Sequence, residues 1–193
     1  MELVERLAGA RIGATYNQYA DSDLRRARLR AHLEARAGAR LVLVGEAAGY
    51  RGARVSGVPF TSERQLTGAG PTEATATIVH RVLAALGLED DVLLWNVVPT
   101  HPGTVASNRR PTAEEIRDAR PFLEEVVGDR RVVAVGRLAA SVLDAPYVRH
   151  PSHGGASAFA EGLGAVLCER PSARALSATI RRRRTTRVRP FSV

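Results

Sequence analysis

Three polar side chains stand where an open α/β sheet would place chemistry: Glu46, Asn96 and His150 each follow or end a short apolar run. Glu46 closes Leu41-Val-Leu-Val-Gly and opens a glycine-rich turn, LVLVGEAAGYRGARVSGVPF over residues 41–60. The carboxyl end of a strand is the usual place for ligand chemistry in open α/β sheets. Asn96 lies inside Val92-Leu-Leu-Trp-Asn-Val-Val. A buried amide must find hydrogen-bond partners or cost about 1 to 3 kcal/mol. It either ties the strand to a neighbouring loop or offers its paired donor and acceptor to the edge of a nucleobase. His150 opens His-Pro-Ser-His-Gly-Gly, where Pro151 fixes the chain direction and the imidazole can donate to an oxygen that gains negative charge. Ser152, with Gly154 and Gly155, offers a hydroxyl and backbone NH groups suited to a phosphate. Phe60 ends the glycine-rich turn and is either a stacking platform or a core ring. Tyr50 and His101 lie in the same loops and are weaker candidates.

The elements that must position these groups alternate. Asp21 to Ala37 reads as a helix capped by Asp21 or Ser22, and Arg40 to Gly45 as the first strand. A long glycine-bearing loop to about Pro71 leads into a helix through Ile78, Val82 and Leu86. Asp91 to Val97 is the second strand. Thr112 and Glu115 form a capping-box pair that opens a helix ending at Gly128. Strand three is Arg131 to Val135, a short helix spans Leu138 to Leu143, and Pro146 to Arg149 is strand four. A last helix covers Ala156 to Cys168, weakened by Gly162 and Gly164. This alternation predicts a three-layer α/β/α sandwich around a central, mostly parallel four-stranded sheet. With right-handed crossovers the carboxyl ends of the strands share one edge, where Glu46, Asn96 and His150 meet.

The chain of 193 residues fits a single domain over residues 1–170, followed by an arginine-rich tail over 171–193. All 28 basic residues are arginine, which reads as coding bias rather than as a nucleic-acid signature. Clustering is a different matter. Eight arginines and no acid follow Glu169, so the chain from Arg170 onward carries the whole net charge of +8. It is either a basic arm that follows a phosphate backbone or a solvated terminus. The single cysteine, Cys168, excludes an internal disulfide and any all-cysteine metal or iron-sulfur site. No signal pattern and no apolar run of membrane-spanning length occurs, so a cytoplasmic protein without membrane contact is expected. A small nucleotide-binding hydrolase is disfavoured, because neither G-x-G-x-x-G nor G-K-[ST] appears.

Three segments together resemble the uracil-DNA glycosylase superfamily. Gly45 to Phe60 is similar to its first active-site motif, Trp95 to Pro102 to the segment with the base-reading asparagine, and His150-Pro-Ser to its second motif. The resemblance implies that Phe60 stacks on an extruded uracil lined by Gly45 and Ala47, and that Asn96 reads its edge. His150 would hydrogen-bond the uracil O2 and stabilise the departing anion, while Glu46 would orient or activate water. Ser152 would hold a DNA phosphate, and His153, Gly154 and Gly155 match the loop that enters the duplex. Three departures stand out. Ala47 replaces the acid or amide that other branches use in catalysis, and Gly49 stands where the best-known branch has a tyrosine that excludes thymine. His153 leads two glycines rather than a bulky wedge. The resemblance thus implies a cluster-free, monofunctional glycosylase, a monomer without cofactor or metal, acting on uracil in single- or double-stranded DNA and leaving an abasic site. The competing expectation is a non-catalytic or covalent-trapping protein for uracil or abasic sites.

Overall fold

A computed structural model describes residues 2–169; the arginine-rich tail lies outside the described residues. The chain order is α1 (Glu2–Gly9), α2 (Asp23–Ala35), β1 (Leu41–Ala47), α3 (Ala53–Ser56), α4 (Glu63–Thr67), α5 (Ala74–Ala85) and β2 (Val92–Val98). It continues with the hairpin strands β3 (Gly103–Thr104) and β4 (Ser107–Asn108), then α6 (Ala113–Val127), β5 (Arg131–Val135), α7 (Arg137–Val142), β6 (Tyr147–Val148) and α8 (Ala156–Cys168). Strands β2-β1-β5-β6 form one sheet in that spatial order, and every pairing in it is parallel. The expected three-layer sandwich is therefore present. From β1 the chain moves to one side of the sheet and after β2 it crosses to the other, so the loops leaving β1 and β5 diverge. Such a switch point leaves a crevice at the carboxyl edge.

Strand alternation divides the core in two. Val42, Val44, Leu93, Trp95, Val132 and Ala134 pack with residues of α1, α2, α6 and α7. Leu41, Leu43, Leu94, Val133 and Val135 face the other way, toward Val79 and Leu83 of α5 and Phe159 and Leu163 of α8. Both layers are apolar on the sheet side, which is why the strands read as continuous hydrophobic runs.

Helix starts follow the chemistry of their first residues. The Ser22 hydroxyl accepts from the Arg25 NH, and Thr112 with Glu115 forms the expected capping box on α6. Pro121 sits inside α6 without ending it. The segment read as one loop before Pro71 instead holds α3 and α4, both closed by glycines in the left-handed region, Gly57 at φ 80° and Gly68 at φ 77°. Arg28 clamps this segment to α2 through a two-pronged pair with Glu63, at 2.8 and 2.9 Å. The β3–β4 hairpin has no hydrophobic period, whereas α1 is a further amphipathic element that buries Val4 and Leu7. α8 runs its full expected length, because Gly162 lies against Val148 and brings the helix close to β6.

Candidate functional site

The crevice at the carboxyl edge is a cavity of about 360 Å³. Of the residues singled out from the sequence, Glu46, Ala47, Phe60, Asn96, His150, Ser152 and His153 all line it. Gly45 lies just beneath. It pairs with Asn96 across the β1–β2 ladder, and a Cβ there would fall 2.9 Å from both Phe60 Cε2 and Asn96 Oδ1. Only a bare backbone lets the ring and the amide approach each other so closely.

Phe60 has φ 52°, the left-handed region that an aromatic residue seldom adopts. The strained backbone is held from both sides. The Ser56 hydroxyl donates to the Thr61 carbonyl at 2.6 Å and accepts from the Val58 NH at 3.0 Å. The ring is largely covered, packed on the sheet face shared with Leu43 and Leu94, and presents its remaining surface to the cavity. It is thus both core ring and cavity wall.

Asn96 is buried, yet its side-chain amide has no hydrogen-bond partner among the described residues. The structure therefore removes one of the two sequence readings: this amide does not tie β2 to a loop. A donor and an acceptor aimed into a cavity without protein partners are suited to a ligand that carries the complementary pair.

His150 leaves β6 and rests against Gly136, the residue that turns β5 into α7 at φ 89°. Its Nδ1 accepts from the Ser152 backbone NH at 3.2 Å and lies 2.8 Å from the Ser152 hydroxyl. A nitrogen that accepts from a main-chain NH carries no proton, so in the neutral ring the hydrogen is on Nε2. Burial, aided by the nearby His153 ring, holds the imidazole below its usual pKa and favours that neutral form. The same Ser152 hydroxyl is 3.0 Å from His153 Nδ1, and the Gly155 NH is bonded to the Ser152 carbonyl. Ser152 is thus engaged in orienting imidazoles. His153, itself at φ 51°, and Gly154 at φ 73° form the exposed rim.

Glu46 lies within β1, one residue before its end at Ala47, and is half-buried at the cavity wall. Burial pushes its carboxyl above the usual range, with the Arg110 charge working the other way. Tyr50 and His101 are bracing residues. The Tyr50 NH donates to Asn108 Oδ1 at 2.8 Å, and the two His101 ring nitrogens lie 2.7 Å from the Ala48 carbonyl and 2.8 Å from that of Thr104. They pin the turn after β1 to the β3–β4 hairpin.

Sequence reasoning missed Glu73, Asn108 and Arg109, which also line the cavity. Arg109 is held by a two-pronged pair with the buried Glu115, at 2.8 and 2.5 Å, so the capping glutamate of α6 also steadies the rim. The capping box was the available signal for Glu115. Nothing in spacing pointed to Glu73, which reaches the site only because α5 starts opposite the turn after β1.

A planar heterocycle fits this arrangement: a ring to stack on, an amide pair for its edge, a neutral imidazole donor, and a desolvated carboxyl nearby. The model of the Uracil DNA glycosylase superfamily matches residues 33–187. In structure the chain is similar to wild-type SMUG2 from Pedobacter heparinus, with a TM-score of 0.62 at 12% identity, covering 87% of this chain and 98% of that one. No curated protein matches the chain in sequence.

Proposed function

This chain belongs to the uracil-DNA glycosylase superfamily, and from that premise we propose that it flips uracil out of DNA and hydrolyses its N-glycosidic bond. The observation that carries the reading is the buried, unpartnered amide of Asn96 beside the Phe60 ring. In this reading an extruded uracil stacks on Phe60. Asn96 Oδ1 accepts from N3–H and Nδ2 donates to O4, a match that the amino group of cytosine reverses.

His150 Nε2–H donates to O2. As the bond between the sugar C1′ and N1 breaks, its electron pair moves onto the base, and the imidazole hydrogen bond strengthens as charge gathers on O2. Glu46 accepts a proton from the water that attacks the cationic sugar. The products are an abasic site and free uracil. Ala47 leaves no second acid on β1 for the water, which supports Glu46 in that role. With the Ser152 hydroxyl engaged by His150 and His153, contact with the DNA backbone falls to the rim at His153, Gly154 and Arg149, and the basic tail adds sequence-independent attraction.

The test is a panel of oligonucleotides carrying uracil, hypoxanthine, xanthine or a thymine mispair, single- and double-stranded, incubated with the protein and then with alkali. Scission at uracil supports the proposal. Intact strands across the panel would refute it, and a denaturant-resistant protein-DNA band without turnover would replace it with the covalent trap.

A further inference from the structure

The turn after β1 carries two glycines whose missing side chains answer to the same residue. A Cβ at Gly49 would lie 2.9 Å from the Glu73 carboxyl carbon, and one at Gly52 would lie 2.8 Å from it. The carboxyl of Glu73 is therefore seated on bare backbone, in the volume that side chains at these positions would otherwise fill. It lines the same cavity as Phe60, Asn96 and His150.

Among the described residues no hydrogen bond or ion pair holds it there. Glu73 is the N-cap residue of α5 but makes no side-chain cap bond, and among the described residues its oxygens have neither a hydrogen-bond nor an ion-pair partner. A carboxyl withdrawn from water without a partner is costly. Burial pushes its protonation above the usual carboxylate range. Asp or Ser would cap α5 better. The position thus spends local stability to place a carboxyl at the cavity wall.

Its place follows from going round the base in the pose proposed above, on which this inference rests. With O2 at His150 and N3 and O4 at Asn96, the edge left over is C5–C6. We propose that Glu73 is a specificity-determining residue that closes the cavity against substituents at C5 of a pyrimidine. Uracil carries only hydrogen there and fits; the thymine methyl meets the carboxyl, which the turn at Gly49 and Gly52 supports from behind.

The experiment compares excision of uracil, thymine and 5-hydroxymethyluracil from otherwise identical oligonucleotides by the wild-type protein, Glu73→Ala and Glu73→Gln. One methyl-sized group in a pocket is worth about 10- to 200-fold in discrimination. Glu73→Ala should therefore raise the thymine-to-uracil and 5-hydroxymethyluracil-to-uracil rate ratios at least about tenfold, whereas Glu73→Gln, of nearly equal volume, keeps them low. If Glu73→Ala melts below the assay temperature, Glu73→Ser keeps a capping side chain and is read in the same way. Unchanged ratios in a folded variant that still releases uracil would overturn this inference alone. A wild-type protein that releases no uracil would overturn the glycosylase reading and this inference with it.

Discussion

Replacing Gly45 with alanine should disable the site by a single methyl group. The new Cβ would lie 2.9 Å from Phe60 Cε2 and from Asn96 Oδ1, whereas non-bonded carbons settle at about 3.5 to 4.0 Å. Phe60 Cζ would be closer still, so the contacts must open by more than about 1 Å. The backbone cannot yield readily, since Gly45 is held in the ladder with Asn96 in a strand paired on both sides. Phe60 is packed against the sheet face and fixed by Ser56, so its ring or the Asn96 amide must shift into the cavity. A displacement of about 1 Å in a positioning group costs about 100-fold in rate, and overpacking costs about 1 to 3 kcal/mol in stability. Single-turnover release from a single-stranded uracil oligonucleotide reads the first effect and urea unfolding the second. Gly38→Ala is the control, because nothing lies within 4 Å of its Cβ. A folded Gly45→Ala protein within about threefold of wild-type rate would refute the idea that the close approach of Phe60 and Asn96 defines the site.

Glu46 and His32 give predictions in pH. A Glu46 that must be ionised to take a proton makes activity fall as pH drops through a pKa raised above 4.5. Glu46→Gln should be slower by about 100-fold or more, and its rate profile should lose that acid limb; a limb that persists unchanged would assign it to another group. His32 is buried against the Leu94 carbonyl, with its pKa lowered from 6.5 to about 4. The unfolded chain then takes up a proton that the folded chain refuses, so stability is lost as pH falls from about 6.5 to about 4, in all by about 3 kcal/mol. Urea midpoints at pH 7 and pH 5 should fall less in His32→Gln than in wild type, and equal falls would remove His32 from the account.

Much of this architecture can be read from the chain because the sheet is parallel and covered on both faces. Val42 to Val44, Val92 to Trp95 and Val132 to Val135 are unbroken apolar runs for that reason, and the capping chemistry at Ser22 and Thr112 marks the helices beside them. The three side chains at strand ends come together because parallel topology brings those ends to one edge. Short elements escape such reading. α3 and α4 are one turn each, fixed by glycines in the left-handed region and by the Arg28–Glu63 pair, and neither feature has a hydrophobic period. The β3–β4 hairpin is held by His101 and Asn108 rather than by an apolar face. Glu73 shows the limit most clearly: its partners in space are glycines 49 and 52, whose significance lies in what they lack. Ser152 does work that its motif does not announce, since its main-chain NH, accepted by His150 Nδ1, sets which nitrogen of His150 carries the proton.

The central claim is that Asn96 and His150 act on one extruded uracil, and the most direct measurement is the free base itself. A single-stranded oligonucleotide with one uracil is incubated with the wild-type protein, Asn96→Ala and His150→Ala, and released uracil is quantified by mass spectrometry against time. Wild type should release about one uracil per strand, with each variant at least about 100-fold slower, the scale on which lost transition-state donors register. No free uracil from wild type, or variants that keep pace with it, would contradict the account.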